Sequence, residues 1–365
     1  MYRSLLSASL LALLAACHAT GSGETAAPAA SETSAAPASL ADAMASHDPA
    51  PGQPPSPDET DDQPRPLMHL QVVLERLGFA PGVIDNTLGL STRNALRGYQ
   101  EAKGLPPSGA ADDATMASLA PYAMIAATRL VTIPATFAAG PFAPLPKNPS
   151  DQAKLPALGY ASLDEKLAER FHTTPEALHA LNPAVQAFTA GQKIRVPNVG
   201  ADAIDPTLVT DKNWAATLAA LGVGTGSPAA TRIVVSRSAG TLRAFDEQGK
   251  LVALFTVTTG SEHDPLPLGT WKILGIDHNP KFHYNPALFW DVSDAKPQAL
   301  LPAGPNNPVG VVWIDLSKPH YGIHGTPEPQ TIGRTESHGC VRLTNWDAAR
   351  LSTMVSTSTQ VEFVA

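Results

Sequence analysis

Cysteine is almost absent: Cys17 and Cys340 are the only two in 365 residues. If Cys17 is modified or removed, Cys340 has no intrachain partner, and a lone exposed thiol in an oxidising compartment is a liability unless it has a task. A buried, inert thiol is the other reading. Runs of Lys or Arg are missing too, and the formal net charge is −8, which argues against nucleic acid as a partner. The apolar stretch Leu5 to Leu14 is too short to cross a bilayer as a helix. Proline, by contrast, is abundant: 35 residues, many of them clustered, break the chain into stretches that read as modules joined by linkers.

Residues 1–16 carry the marks of an export signal, with Arg3 as a positive start, the apolar Leu5 to Leu14 and the small residues Ala15 and Ala16. Leu14-Ala15-Ala16-Cys17 resembles the lipobox of bacterial lipoproteins, in which the cysteine is acylated and becomes the mature N-terminus. That resemblance implies a lipid anchor on Cys17 at the periplasmic face, and His18 in place of Asp points to the outer membrane of a Gram-negative cell. Residues 17–65, rich in Ala, Ser, Pro, Glu and Asp, bury too little apolar surface to offset ordering entropy and are expected to form a disordered tether.

From 66 to 121 the pattern is helical. Leu67, Leu70, Val73, Leu74 and Leu77 recur at helical spacing and Gly78 stops the run. Ser91 or Thr92 is expected to cap a second helix, and Asp112-Asp113 to open a third. By periodicity alone this is a small bundle, with or without a ligand. The order Leu77-Gly78-Phe79, Pro81-Gly82-x-Ile84-Asp85, Gly89-x-x-Thr92 and Tyr99-Gln100 to Gly104-Leu105 resembles a peptidoglycan-binding domain, with Asn86 where that family usually has Gly.

Residues 122–200 predict a strand over Arg129 to Ile133, two helices, the second starting at Thr173-Thr174-Pro175, and a strand over Lys193 to Val196. This βααβ order, with Leu167-Ala168 to Phe171, Leu178 to Pro183 and Gly191 to Pro197, resembles the glycan-binding LysM module, interrupted by a Pro-rich insertion at 134–157. A purely spacing role is the other reading. Residues 201–230 read as a linker.

The segment 231–365 alternates apolar and polar residues, turns at Ser238 to Gly240 and again at Glu247 to Lys250, and adds strand-like runs at "GTWKILGI", "VGVVWIDL" and "QVEFV". It is expected to be mostly β, an antiparallel sandwich or barrel-like fold, so the chain as a whole is multidomain α+β. The Pro- and Asn-dense stretch Asp277 to Pro308 has the length of a lid or insertion.

Against that scaffold stand His324-Gly325-Thr326 and Ser337-His338-Gly339-Cys340-Val341-Arg342-Leu343. A thiolate is a strong nucleophile, and an imidazole within reach can take the thiol proton and return it to a leaving group. Gly339 allows a substrate close to the backbone, whose N–H groups can face an oxyanion, and Arg342 can bind a carboxylate with two hydrogen bonds.

This segment resembles the catalytic domain of the L,D-transpeptidases, whose motif is an HG dipeptide followed by SHGC. The resemblance implies that Cys340 is the acylated nucleophile and His324 its proton acceptor and donor, with Gly325 orienting the ring through its carbonyl. It further implies that Ser337, His338 and Gly339 shape the pocket and that Arg342 meets a stem carboxylate. The implied donor is a peptidoglycan tetrapeptide stem; the acceptor is an amine of a neighbouring stem, an outer-membrane protein, or water, the last giving an L,D-carboxypeptidase. No cofactor or metal is implied. Two rivals remain at this level: a zinc site built from His320, His324, His338 and Cys340, whose spacing fits no simple zinc pattern, and a non-catalytic wall-binding lipoprotein scaffold.

Overall fold

The computed structural model describes residue 58 and residues 60–200, 203–289, 292–293 and 296–365. The signal peptide, Cys17 and the tether up to residue 57 lie outside the described residues, and no helix among the described ones is long and apolar enough to cross a membrane.

Three helices open the described chain: α1 (Pro66–Arg76), α2 (Leu90–Ala102) and α3 (Asp113–Leu119). Proline at the start of α1 costs no hydrogen bond, and the Met68 N–H is capped by Asn86 Oδ1 at 2.9 Å. Asn86 sits at φ 61°, which explains how it replaces glycine: asparagine tolerates the left-handed region, and here its carboxamide also finishes a helix. The cap expected at Ser91 or Thr92 falls instead on Gly89. Thr92 Oγ1 is engaged elsewhere, accepting Gln71 Nε2 at 3.2 Å. Asp112 does cap α3, accepting from Thr115 N–H at 2.9 Å. The apolar face of α1 is wider than the predicted stripe. Leu70, Val73 and Leu74 meet Leu96 and Tyr99, whereas Met68 and Val72 face Leu167 and Phe171 of the next module.

That module is a strand, two principal helices and a strand. It comprises β1 (Thr128–Thr132), the short α4 (Ala135–Ala138) and α5 (Pro149–Gln152) inside the Pro-rich insertion, α6 (Leu163–Arg170), α7 (Pro175–Leu181) and β2 (Lys193–Pro197), with β1 and β2 antiparallel. Ser162 and Thr174 cap α6 and α7 through their hydroxyls. The end of the expected tether is ordered against this sheet. Asp58 pairs with Lys193 at 2.7 Å, and Asp61 accepts from Thr128 Oγ1 at 2.8 Å and from Arg65 at 2.8 Å.

The predicted linker is not one. Residues 212–221 form α8 (Lys212–Leu221), and its Trp214, Leu218 and Leu221 are buried in the same core as the strands that follow. Gly222 closes the helix at φ 66°, so the glycines that resemble linker punctuation act as a helix stop. The strands are β3 (Arg232–Ser236), β4 (Thr241–Phe245), β5 (Leu251–Thr256), β6 (Gly269–His278), β7 (Phe282–Tyr284), β8 (Ala299–Leu301), β9 (Val312–Leu316), β10 (Gly322–His324), β11 (Val341–Arg342) and, after α9 (Asn345–Met354), β12 (Gln360–Val364).

Eight strands form one sheet in the order β11-β10-β9-β6-β12-β3-β4-β5, while β7 and β8 make a separate hairpin within the Pro- and Asn-dense stretch. The sheet is mixed rather than antiparallel: β3 pairs parallel with β12, and β10 parallel with β11. Its two edges meet where Thr258, just past β5, exchanges backbone hydrogen bonds with Arg342 on β11 at 2.9 and 3.1 Å, so the sheet closes on itself. Trp346 of α9 is fully buried among the sheet's apolar residues.

The modules are not beads on strings. Ala80 N–H bonds the Leu254 carbonyl at 2.9 Å, Leu254 N–H bonds the Gly78 carbonyl at 3.2 Å, and Leu251 and Leu254 of β5 belong to the helical module's core. At the junction Glu75 of α1 is held by His172 at 2.9 Å and by Arg350 of α9. Burial pushes the Glu75 carboxyl up, but the Arg350 and His172 charges outweigh it and hold it low.

Candidate active site

β10 and β11 are parallel neighbours in the register Ile323 to Val341 and His324 to Arg342. Ile323 and Val341 are fully buried in the core, so alternation along each strand turns His324, Arg342 and Cys340, the residue before β11, to the opposite face. The loop over residues 325–340 thus returns the chain beside its own starting strand and sets Cys340 on the side of the sheet that His324 faces.

His324 is buried, and its Nδ1 lies 2.7 Å from the Gly325 carbonyl. A carbonyl only accepts, so Nδ1 carries the hydrogen and Nε2 keeps its lone pair. Trp313 stacks on the ring at 5.5 Å and 22°. Burial, followed by the nearby Arg342 charge, pushes His324 down to about 3, so the resting imidazole is neutral.

Cys340 is half-buried, and its Sγ donates to the His320 carbonyl at 3.8 Å. Burial pushes the thiol up, a hydrogen bond from the Gly322 backbone and the Arg342 charge pull it down, and Asp264 adds to the rise. The resting pair is therefore thiol and imidazole rather than thiolate and imidazolium.

The surrounding loop is fixed tightly. Ser337 Oγ donates to the Cys340 carbonyl at 2.6 Å and its N–H to the Thr259 carbonyl at 3.1 Å, so this serine holds the turn that presents the thiol. Gly339 has φ 96°, and a Cβ there would lie 2.6 Å from Cε1 of Tyr321. Only glycine satisfies both conditions. His338 meets Phe289, from the hairpin stretch, edge to face at 4.9 Å. The Arg342 guanidinium forms no hydrogen bond or ion pair among the described residues, although its Nε is buried. An unpartnered, half-buried guanidinium favours an incoming anion.

The zinc rival finds no support in this arrangement. Among the described residues no three His, Cys, Asp or Glu side chains are placed to hold a metal ion, and His320 contributes its carbonyl to the thiol. Residues not found from sequence are Tyr321, Trp313, Asp264 and Asn345. Of these Asn345 had the best signal, lying two residues past the motif at the start of α9. Its amide packs so closely on Gly325 that a Cβ there would overlap Oδ1.

Residues 230–363 match the YkuD family model, described as "L,D-transpeptidase catalytic domain", and residues 66–119 match "Putative peptidoglycan binding domain". The "Putative L,D-transpeptidase YkuD" of Bacillus licheniformis is 29% identical over 199 residues, 54% of this chain and 90% of that protein. The "Probable L,D-transpeptidase YbiS" of Escherichia coli is 44% identical over 66 residues, 18% of this chain and 21% of that protein. Among solved structures, L,D-transpeptidase 3 from Mycobacterium tuberculosis with a faropenem-derived adduct shares 17% identity at a TM-score of 0.31, over 37% of this chain and 60% of that one. The chain thus spans about three fifths of that solved chain's length. This chain carries an L,D-transpeptidase catalytic domain behind a peptidoglycan binding domain.

Proposed function

We propose that the chain is a cysteine-dependent L,D-transpeptidase acting on peptidoglycan tetrapeptide stems. The observation that supports this reading is the parallel pairing of the strand that ends at His324 with the one that follows Cys340, with His324 Nδ1 held by the Gly325 carbonyl. The Cys340 thiol turns from the His320 carbonyl to His324, Nε2 takes its proton, and sulfur attacks the carbonyl of the L-centre. Backbone N–H groups at Gly339 and Cys340 receive the oxyanion. As the intermediate collapses, the C–N bond to D-Ala breaks and its nitrogen takes the proton from His324, leaving a thioester. An acceptor amine then attacks the thioester, losing a proton to His324, which returns it to sulfur. Arg342 meets a carboxylate of the stem.

A neutral resting pair suits this sequence, because the proton moves only when a carbonyl is present to be attacked. The acceptor amine gives a 3-3 crosslink or joins a protein to the wall; water gives a trimmed tripeptide. The helical module at 66–119 holds the enzyme on peptidoglycan, the βααβ module serves as a LysM-like glycan contact, and a lipid on Cys17 anchors the protein at the periplasmic face of the outer membrane. Comparing stem-peptide products from walls of cells with and without the protein tests the reading. A loss of 3-3 crosslinks or of wall-attached protein, restored by the parent chain and not by Cys340→Ala, is expected. Restoration by Cys340→Ala contradicts it and favours a scaffold.

A further inference from the structure

We propose that Glu169, on α6 of the βααβ module, is a positioning residue for His324 and acts through Asn345. The proposal rests on the reading of His324 and Cys340 as the reacting pair. Glu169 is buried and crosses a module boundary: Oε1 accepts from Asn345 Nδ2 at 2.8 Å, while the Tyr160 hydroxyl donates to Oε2 at 2.9 Å. Asn345 has no remaining freedom. Its Nδ2 also bonds the Pro305 carbonyl at 3.0 Å, and its Oδ1 accepts from Val311 N–H at 3.3 Å. The same Oδ1 lies against Gly310 and Gly325, where a Cβ on either would overlap it. Gly325 in turn donates its N–H to the Val312 carbonyl at 3.3 Å and holds His324 Nδ1 with its own carbonyl at 2.7 Å.

A shift of Asn345 therefore moves the peptide that sets the imidazole's orientation. The module also holds the neighbouring turn from outside: Asn306 Nδ2 bonds Glu165 Oε1 at 2.6 Å and the Gly159 carbonyl at 2.9 Å, and Leu158 N–H bonds the Ala303 carbonyl at 2.9 Å. The βααβ module is thus part of the support of the catalytic histidine, beyond any contact it makes with glycan.

The groups facing Glu169 decide its charge. Glu165 lies on its own helix, Tyr160 on the preceding loop, and the catalytic domain presents only neutral Asn345; no described cation pairs with it. Burial is the largest influence and holds the proton up to about 8. In the protonated acid the 2.9 Å contact runs the other way, from the carboxyl O–H to the Tyr160 oxygen. Ionisation places a buried charge between Tyr160 and Asn345 and strains the path to Gly325.

Glu169→Gln keeps the neutral pattern, its carbonyl accepting from Asn345 and its amide donating to Tyr160. The test measures Cys340 alkylation by iodoacetamide from pH 6 to 10 on the full chain, alongside turnover of a tetrapeptide stem. Below the thiol's own titration the parent rate is expected to depart near pH 8 from its rise of about tenfold per pH unit. Glu169→Gln is expected to lack that departure while keeping kcat at neutral pH, and Glu169→Ala to lose kcat at least about tenfold with little change in KM. Tyr160→Phe gives a second probe if Glu169→Ala fails to fold; it is expected to move the inflection. Superimposable alkylation profiles for the parent, Glu169→Gln and Tyr160→Phe would overturn the proposal. If the profiles differ but the parent turns over no stem, the coupling stands and the transpeptidase reading fails.

Discussion

A histidine whose Nε2 is to accept a proton must be unprotonated at rest. His324 releases its proton near pH 3 in the folded chain, against an ordinary value of 6.5. Between those values the unfolded chain binds more protons, so stability falls as the pH drops through that window. With His324 as the proposed proton acceptor, kcat/KM is expected to show no acid limb near 6.5 from this residue, which a pH profile checks. Glu169 has the opposite sign. Its folded value of about 8 lies above the ordinary 4.5, so the native state holds the extra proton and stability falls as the pH rises between them. Glu169→Gln removes that loss, and urea unfolding at pH 8 is expected to show a gain of at least about 1 kcal/mol over the parent. Gly339→Ala combines a left-handed φ with a collision against Tyr321 and is expected to lower acyl transfer at least about 100-fold. Of these residues, those within the short motif were legible because their chemistry is local. Tyr321, Asn345 and Glu169 were not, since each acts through a neighbour distant in sequence and no periodicity marks such a contact.

Elements were legible where their signals were self-contained. The alternation of β3 to β5, the proline start of α7 and the Asp112 cap all read directly, because each depends on residues a few positions apart. Asn86 shows the limit. It looks like a departure from a glycine turn, yet its carboxamide caps a helix eighteen residues earlier. Asn86→Ala loses that cap and places an ordinary side chain in the left-handed region, for a combined cost of about 2 kcal/mol. Asn86→Gly loses the cap alone and costs about 1 kcal/mol or less by the same denaturation. The parallel pairings of β10 with β11 and of β3 with β12 were out of reach, because hydrophobic alternation fixes a strand's face and not its partner. Yet the first of those pairings assembles the site.

At the scale of the molecule, composition misled. Proline and glycine around residues 201–230 imitate a linker, whereas Trp214, Leu218 and Leu221 between them complete the catalytic core. With β5 shared between two cores and Glu75, His172 and Arg350 joining three modules, the described region is expected to unfold in one cooperative calorimetric transition. Three separate transitions would mean independent modules. Trp214→Ala is expected to cost about 3–5 kcal/mol, and a chain beginning at residue 231 to lose its fold, which far-UV circular dichroism checks. On the proposed function, this packing of the helical module against β5 ties the wall-binding and acyl-transfer parts of the chain to one another. The most direct test of the central claim is intact-mass analysis of the protein mixed with a tetrapeptide stem and no acceptor amine. A covalent gain equal to the donor less D-Ala, mapped to Cys340 and lost in His324→Ala, is the predicted result; release of D-Ala by Cys340→Ala at the parent's rate would contradict it.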